Sequence, residues 1–296
     1  MKRKIFGSLV YGITSMAVII IVALTIAILA DIIKGGGHML SWEFFTSAPK
    51  EGMTKGGIFP AIIGTVILVI IMSIAGVPIG VITAIYLNEY AKQGALFTKL
   101  IRFAVNTLAG VPSIVFGLFG LGFFIQFVGR GMDMAFQNTG NIKWGQPNIL
   151  WASMTMALLT LPVVIVSVEE ALKTVPREIR EASLALGATK WETIWKIVLP
   201  DSMTGIMTGV ILAIGRGAGE VAPILFTGAA YFLPQLPHSL SDQFMNLGYH
   251  IYIMSTQSTN VESTISIQYA TVLVLLLVTF VLNLSAILLR YKLRSK

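Results

Sequence analysis

Long apolar runs separated by short polar stretches dominate this chain. Six runs are long enough to cross a bilayer: residues 9–33, 58–87, 103–128, 149–168, 203–227 and 268–289. A hydrocarbon core about 30 Å thick needs about 20 helical residues. Prolines fall inside four of the runs, as Pro60 and Pro78, Pro112, Pro162, and Pro223. Membrane helices accept them because neighbouring helices re-satisfy the freed carbonyls. The pattern predicts an all-α bundle of six transmembrane helices. The first run follows Lys2, Arg3 and Lys4 like a signal peptide, but it is too long and shows no obvious small-residue cleavage site. It reads as a retained helix.

Two charges interrupt the fifth run, Arg216 and Glu220. Each costs about 2.5–3.5 kcal/mol near a bilayer centre even on mild scales. Four residues apart on a helix they share one face, with Cβ atoms about 6 Å apart. Gly205, Gly209, Gly215, Gly217 and Gly219 surround them, and small residues let another helix approach closely. Two readings follow: a charged wall of a translocation path at a helix–helix seam, or an ion pair that only fixes packing.

The remaining cations sort by side. Counted over alternate connections, Lys and Arg number fifteen on one side and five on the other, with Arg216 left in the membrane. The positive-inside rule then puts both termini in the cytoplasm, which requires an even number of helices. The composition agrees with a membrane bundle, at 55% hydrophobic and 12% charged residues. The net charge of +7 does not point to nucleic acid, because the basic residues form no single stripe. With no cysteine, thiol chemistry and Cys-ligated zinc are excluded, and His38, His238 and His250 are too scattered for a metal site.

Two polar loops are long. The outer one, 228–267, has no Lys or Arg and carries Pro234, Pro237, Asp242 and Glu262. It either faces an external partner or caps the bundle passively. The inner loop, 169–200, is patterned. Pro176 suits a first helical position, and Ile179, Ala182 and Leu186 recur at helical spacing. Gly187 can end that helix in a left-handed conformation. Thr189 and Glu192 have capping-box spacing for a second helix bearing Trp191, Ile194, Trp195 and Val198. Asp201 or Ser202 would cap the next span. The residues alone leave open an interfacial hairpin with tryptophans in the headgroup belt.

The stretch Glu181-Ala182-Ser183, three residues, Gly187, nine residues, Ile197-Val198-Leu199-Pro200 resembles the EAA loop of ABC importer permeases, with Ser183 for the usual second alanine. The resemblance implies a coupling helix that docks on a separate cytoplasmic ATPase, with Glu181, Ala182, Ser183, Gly187, Leu199 and Pro200 in or beside the coupling region. The chain has no Walker-type phosphate loop. The glycines around Arg216 are misplaced for a dinucleotide fingerprint, since Glu220 stands where the third should be.

The run from Gly215 to Thr227, Gly-Arg-Gly-Ala-Gly-Glu-Val-Ala-Pro-Ile-Leu-Phe-Thr, resembles the fifth-helix signature of PstA-type subunits of phosphate importers, with Val221 for threonine. So do the stretches beginning at Gly56, Ala84 and Gly110. The resemblance covers the chain from about Trp42 onward. It implies a type-I ABC importer permease (MetI-like) fold, with a single permease domain over 1–296 and a coupling loop at 169–200. It implies a multi-pass cell-membrane (inner-membrane) transporter subunit that is not itself an enzyme and needs no cofactor, ATP and Mg being held by the partner. The implied partners are a PstC-type sister permease, a cytoplasmic ATPase dimer and an extracytoplasmic phosphate-binding protein, with Arg216 and Glu220 in the substrate path. Alternatives are a permease for phosphonate or sulfate, a channel or secondary carrier, or a non-transporting membrane sensor or scaffold.

Overall fold

The computed structural model describes residues 2–92, 94–136, 142–258 and 261–294. Six of its helical stretches are long and apolar enough to span a membrane. The centre of the bundle is α7 (Ile149–Lys173), whose apolar residues point inward on most sides. Asn148 starts it by accepting the Trp151 N–H at 2.9 Å. Against α7 lie α3 (Phe59–Ile85) and α10 (Leu199–Gly219). In lipid, apolar burial alone does not drive helices together, so association rests on close approach of small residues. Gly76 of α3 meets Ala157, and Gly205 of α10 meets Ala171. A Cβ on Gly209 would stand 2.5 Å from the Ser167 Cβ, so this crossing tolerates no side chain there.

The first helix, α1 (Lys2–Gly36), packs on α12 (Val261–Arg294) through Gly35 and Gly36, which abut Tyr269 and Ala270. Its long apolar middle, including Leu9, Ile19 and Ile28, is exposed, as suits a lipid-facing helix. Arg290, near the far end of α12, donates to Thr208 of α10 at 3.0 Å. The start of α1 and the end of α12 therefore lie toward the end of the bundle that carries the 169–200 loop, here the hairpin end. The opposite end is the cap end.

The third span departs from the expected single run over 103–128. The structure divides it into α4 (Leu96–Ala109) and α5 (Ser113–Phe119), with a turn at Gly110–Pro112 between them. Pro112 has no N–H to continue the ladder, and its extended ψ of 139° redirects the chain. From α5 a loosened π-helical stretch (Gly120–Gly129) leads into α6 (Arg130–Phe136). There Asp133 accepts the backbone N–H groups of Lys143, Trp144 and Gly145 at 2.6–3.1 Å, tying down the following loop.

At the cap end, the short helix α2 (Trp42–Thr46) and the two-residue strands β1 (Pro49–Lys50) and β2 (Lys55–Gly56) form a compact unit. The 228–267 loop is not unstructured: it holds α11 (Leu247–Thr256), capped by Asn246. Phe44 and Met53 of the first unit pack with Met245, Leu247, Ile253 and Met254 of the second. These two long segments at the cap end thus form one apolar-cored cap.

Candidate functional site

The antiparallel contacts of α10 with α7 fix the depth of the intramembrane charges. Gly205 lies beside Ala171, Gly209 beside Ser167, and Gly217 beside Met72 and Met156. Met156 is seven residues, or about 10 Å, inside the cap end of α7. The helix stops at that level. Glu220 has φ −78° and ψ 137°, outside helical space. The expected span over 203–227 therefore ends early, and Glu220 lies one residue past the helix rather than on its face.

The pair still closes. Arg216 Nε stands 3.6 Å from Glu220 Oε1, a loose contact. The side chains are 48% and 23% exposed. Among the described residues, Glu220 is the one partner of the Arg216 guanidinium. Arg216 occupies the last turn of α10, where a cation offsets the partial negative charge of the unpaired carbonyls. Gly215 packs against Asn283 of α12, so the pair sits by the α10–α12 seam.

Beyond Glu220 the backbone turns tightly. Thr227, Gly228 and Ala229 all donate to the Ile224 carbonyl, and the Thr227 carbonyl accepts the Asn148 N–H at 2.9 Å. Ile224 and Thr227 are fully buried. Gly117 of α5 lies against the Ala222 and Pro223 carbonyls. Non-helical backbone at membrane depth survives only inside protein or along an aqueous cavity, and here Gly117, Asn148 and Gly248 pack against it. A broken α10 thus meets a broken third span.

The hairpin end is built more tightly. Helix α8 (Arg177–Ala185) has Pro176 at its N-cap, one position earlier than the first helical turn. It ends where Gly187 takes φ +89°. The capping box of Thr189 and Glu192 is formed and opens α9 (Lys190–Thr193). A π turn (Ile194–Val198) then runs unbroken into α10. The expected new N-cap at Asp201 or Ser202 is absent, and Ser202 instead donates back to the Val198 carbonyl at 2.7 Å. Pro200 stands inside this rod, two residues past the π turn, where it has no N–H to donate to the preceding turn.

The residues of the EAA-like stretch separate into different roles. Glu181 and Ala182 are exposed on α8 beside Leu184 and the 90%-exposed Leu186, an apolar surface with acidic flanks. Ser183 points inward, its Oγ 2.9 Å from Thr193 Oγ1, stapling α8 to α9. An alanine there could not make that bond. Gly187 shapes the exposed turn, while Leu199 and Pro200 lie on the rod, walling a groove beside α3.

Sequence reasoning passed over Arg180. Its Nη2 reaches Glu89 Oε1 at 3.0 Å and the Leu172 carbonyl at 2.7 Å, and its Nη1 donates to the Val175 carbonyl. Glu89 belongs to the π turn (Tyr86–Tyr90) that ends α3. Arg180 therefore fastens α8 to the ends of α3 and α7 together. Nearby, Arg102 of α4 binds Glu169 of α7 through two nitrogens at 2.9 and 3.2 Å, and reaches the Leu87 carbonyl at 3.3 Å. Both arginines border a polar cavity of about 500 Å³. These partners of Arg180 are 5, 8 and 91 residues away, and no local spacing announced the most distant one, Glu89, which joins α8 to α3.

Residues 76–296 match the family described as binding-protein-dependent transport system inner membrane component. The chain belongs to that family. It is 33% identical over 227 residues to a probable ABC transporter permease protein, YqgI, of Bacillus subtilis (strain 168), covering 77% of this chain and 72% of the relative. It is 36% identical over 239 residues to the phosphate transport system permease protein PstA 1 of Mycobacterium tuberculosis (strain H37Rv), covering 80% of this chain and 70% of the relative. A PstA of Haemophilus influenzae (strain Rd) is 32% identical over 244 residues, 82% of this chain and 77% of the relative. Among solved structures, a bacterial alginate ABC transporter, crystallised with an alginate-bound periplasmic protein, superposes with a TM-score of 0.67 at 16% identity, over 94% of this chain and 92% of that one. The inward-facing MetNI methionine transporter gives 0.55 at 16%, over 80% and 94%. The fold is that of type-I ABC importer permeases, and the chain is a multi-pass membrane protein.

Proposed function

We propose that this chain is a permease subunit of an ATP-driven phosphate importer, and that Arg216 and Glu220 line its substrate path. The carrying observation is the half-exposed Arg216 guanidinium at the broken end of α10, at membrane depth, loosely held by one carboxylate. A planar guanidinium gives two parallel hydrogen bonds to a tetrahedral oxyanion. The phosphate assignment draws support from relatives named as phosphate transport system permeases at 32–36% identity over about four-fifths of the chain.

Charge balance sets a further requirement. Arg216, Glu220 and the negative end of α10 together are not net positive, so an anion needs another cation. A sister permease facing this surface supplies it, and the path runs between the two subunits. The exposed α8 surface docks on a cytoplasmic ATPase, which places the hairpin end and both termini in the cytoplasm. The cap end receives the extracytoplasmic binding protein. ATP and Mg stay with the ATPase, and the permease does no chemistry on its cargo.

Energy passes through the tight end. Motion of α8 is carried by Arg180 to α3 and α7, and by the continuous α9–α10 rod to Arg216. The test is uptake of labelled phosphate by the reconstituted complex, with sulfate and phosphonate as competitors. Phosphate-selective, ATP-dependent uptake that Arg216→Ala abolishes without loss of assembly is the expected result. Near-normal uptake by Arg216→Ala overturns the path assignment. Effective competition by sulfate overturns the substrate, and uptake surviving ATP depletion overturns the coupling.

A further inference from the structure

We propose that the groove between the hairpin ends of α3 and the α9–α10 rod holds one phospholipid with an anionic headgroup. The groove encloses about 900 Å³. Pro78, Ile82 and Ile85 wall one side, and Ile194, Leu199 and Met203 wall the other. From Met203 to Trp191 the rod rises about 18 Å. That is close to half the 30 Å hydrocarbon core, the depth of one leaflet.

The mouth differs from the slot. Tyr90, Trp191 and Trp195 gather there, and the two indoles stack with centroids 5.7 Å apart while staying exposed. Amphipathic rings of this kind settle at the headgroup level. Lys190 Nζ lies 4.9 Å from the Tyr90 ring centroid. Lys92, two residues beyond Tyr90, is also exposed. The nearest carboxylate on the rod, Glu192, is committed to Lys196 at 3.2 Å and to the capping box.

Charge complementarity selects the occupant. A purely apolar ligand leaves the lysines unused. A transmembrane helix seated here would bring them against an apolar seam. A phospholipid puts its chains in the slot and its phosphate in the interfacial layer beside Lys190 and Lys92. Basic pockets between membrane helices bind acidic headgroups by this arrangement.

The test is native mass spectrometry of the whole permease complex in mild detergent, titrated with phosphatidylglycerol or phosphatidylcholine of matched chains. Wild type retains phosphatidylglycerol in preference. Lys190→Gln and Lys92→Gln each lower that preference by about fivefold, the equivalent of about 1 kcal/mol per lysine. Met203→Trp, which fills the slot, releases both lipids. Equal retention of the two lipids by wild type overturns the proposal, as does a preference unchanged by both lysine variants. A photo-crosslinking residue in place of Trp195 labels lipid, and labelling of a protein subunit instead also overturns it. The lysines are exposed, so their variants read lipid binding even if Met203→Trp fails to assemble. None of these readings uses transport, so failure here leaves the phosphate assignment standing.

Discussion

Two of this molecule's arginine–glutamate pairs use the same chemistry to opposite ends. Arg180–Glu89 closes at 3.0 Å, with side chains 17% and 9% exposed, and the arginine also serves two helix-end carbonyls. Arg216–Glu220 is longer, at 3.6 Å, more exposed, and has no such support among the described residues. The first pair is a finished joint between three helices. The second, which we propose as part of the substrate path, is held near a break in the bundle with donors to spare among the described residues. Saturation of the donors, rather than the presence of charge, separates a strut from a binding group.

Arg216→Gln is the largest break. Uptake falls by at least about thirtyfold, as when one partner of a close charge interaction is removed. Thermal unfolding of the purified complex stays close to wild type. A variant that loses stability but keeps transport would make this pair a strut as well. Arg180→Ala does the reverse, costing about 3–5 kcal/mol by leaving Glu89 buried without its partner. Amide hydrogen exchange in α8 should speed up by roughly two orders of magnitude or more, which tests it. Adding Glu89→Ala costs less than the sum of the two single changes, because the stranded charge goes with it.

The cap end supplies a pH test that the hairpin end should not share. His250 of α11 is 2% exposed, and its Nδ1 finds no partner among the described residues. Burial pushes its pKa down to about 4 from 6.5. The unfolded cap binds a proton that the folded cap refuses, so stability is fully present above about pH 6.5 and declines as pH falls toward 4, by about 1.4 kcal/mol per unit. Proteolysis of the 228–260 region against pH reads this, and His250→Phe flattens the profile.

Two smaller changes sharpen the account of the hairpin. Gly187→Ala forces a side chain to φ +89° and costs about 1–2 kcal/mol. Melting of the complex should shift accordingly. Ser183→Ala removes the bond to Thr193 and costs about 1 kcal/mol. Its expected readout is faster exchange confined to α8 and α9. An effect on ATP-driven uptake without that local loosening would move Ser183 from the staple to the docking surface.

The local devices of the hairpin were legible because they are local. A left-handed glycine and a capping box involve residues three or four apart, and Gly187, Thr189 and Glu192 formed as their spacing requires. The break at Gly110–Pro112 was harder to read, since apolar residues continue on both sides and hydropathy does not register a turn. The early end of α10 was hidden likewise: Val221 to Thr227 is as apolar as a helix but folds as turns against Asn148 and Gly117.

The sequence by itself determined the membrane, the number of spans and the family, since apolar length and short motifs are one-dimensional properties. It also singled out Arg216, because a charge in an apolar run stands out without any partner. Only tertiary structure decided that Arg180 ties α8 to α3 and α7, that Glu220 lies past a helix end, and that α3 and α9 leave a groove between them. Those outcomes depend on which distant backbones come close enough for glycine-sized contacts and shared carbonyls, and no spacing along the chain encodes that proximity.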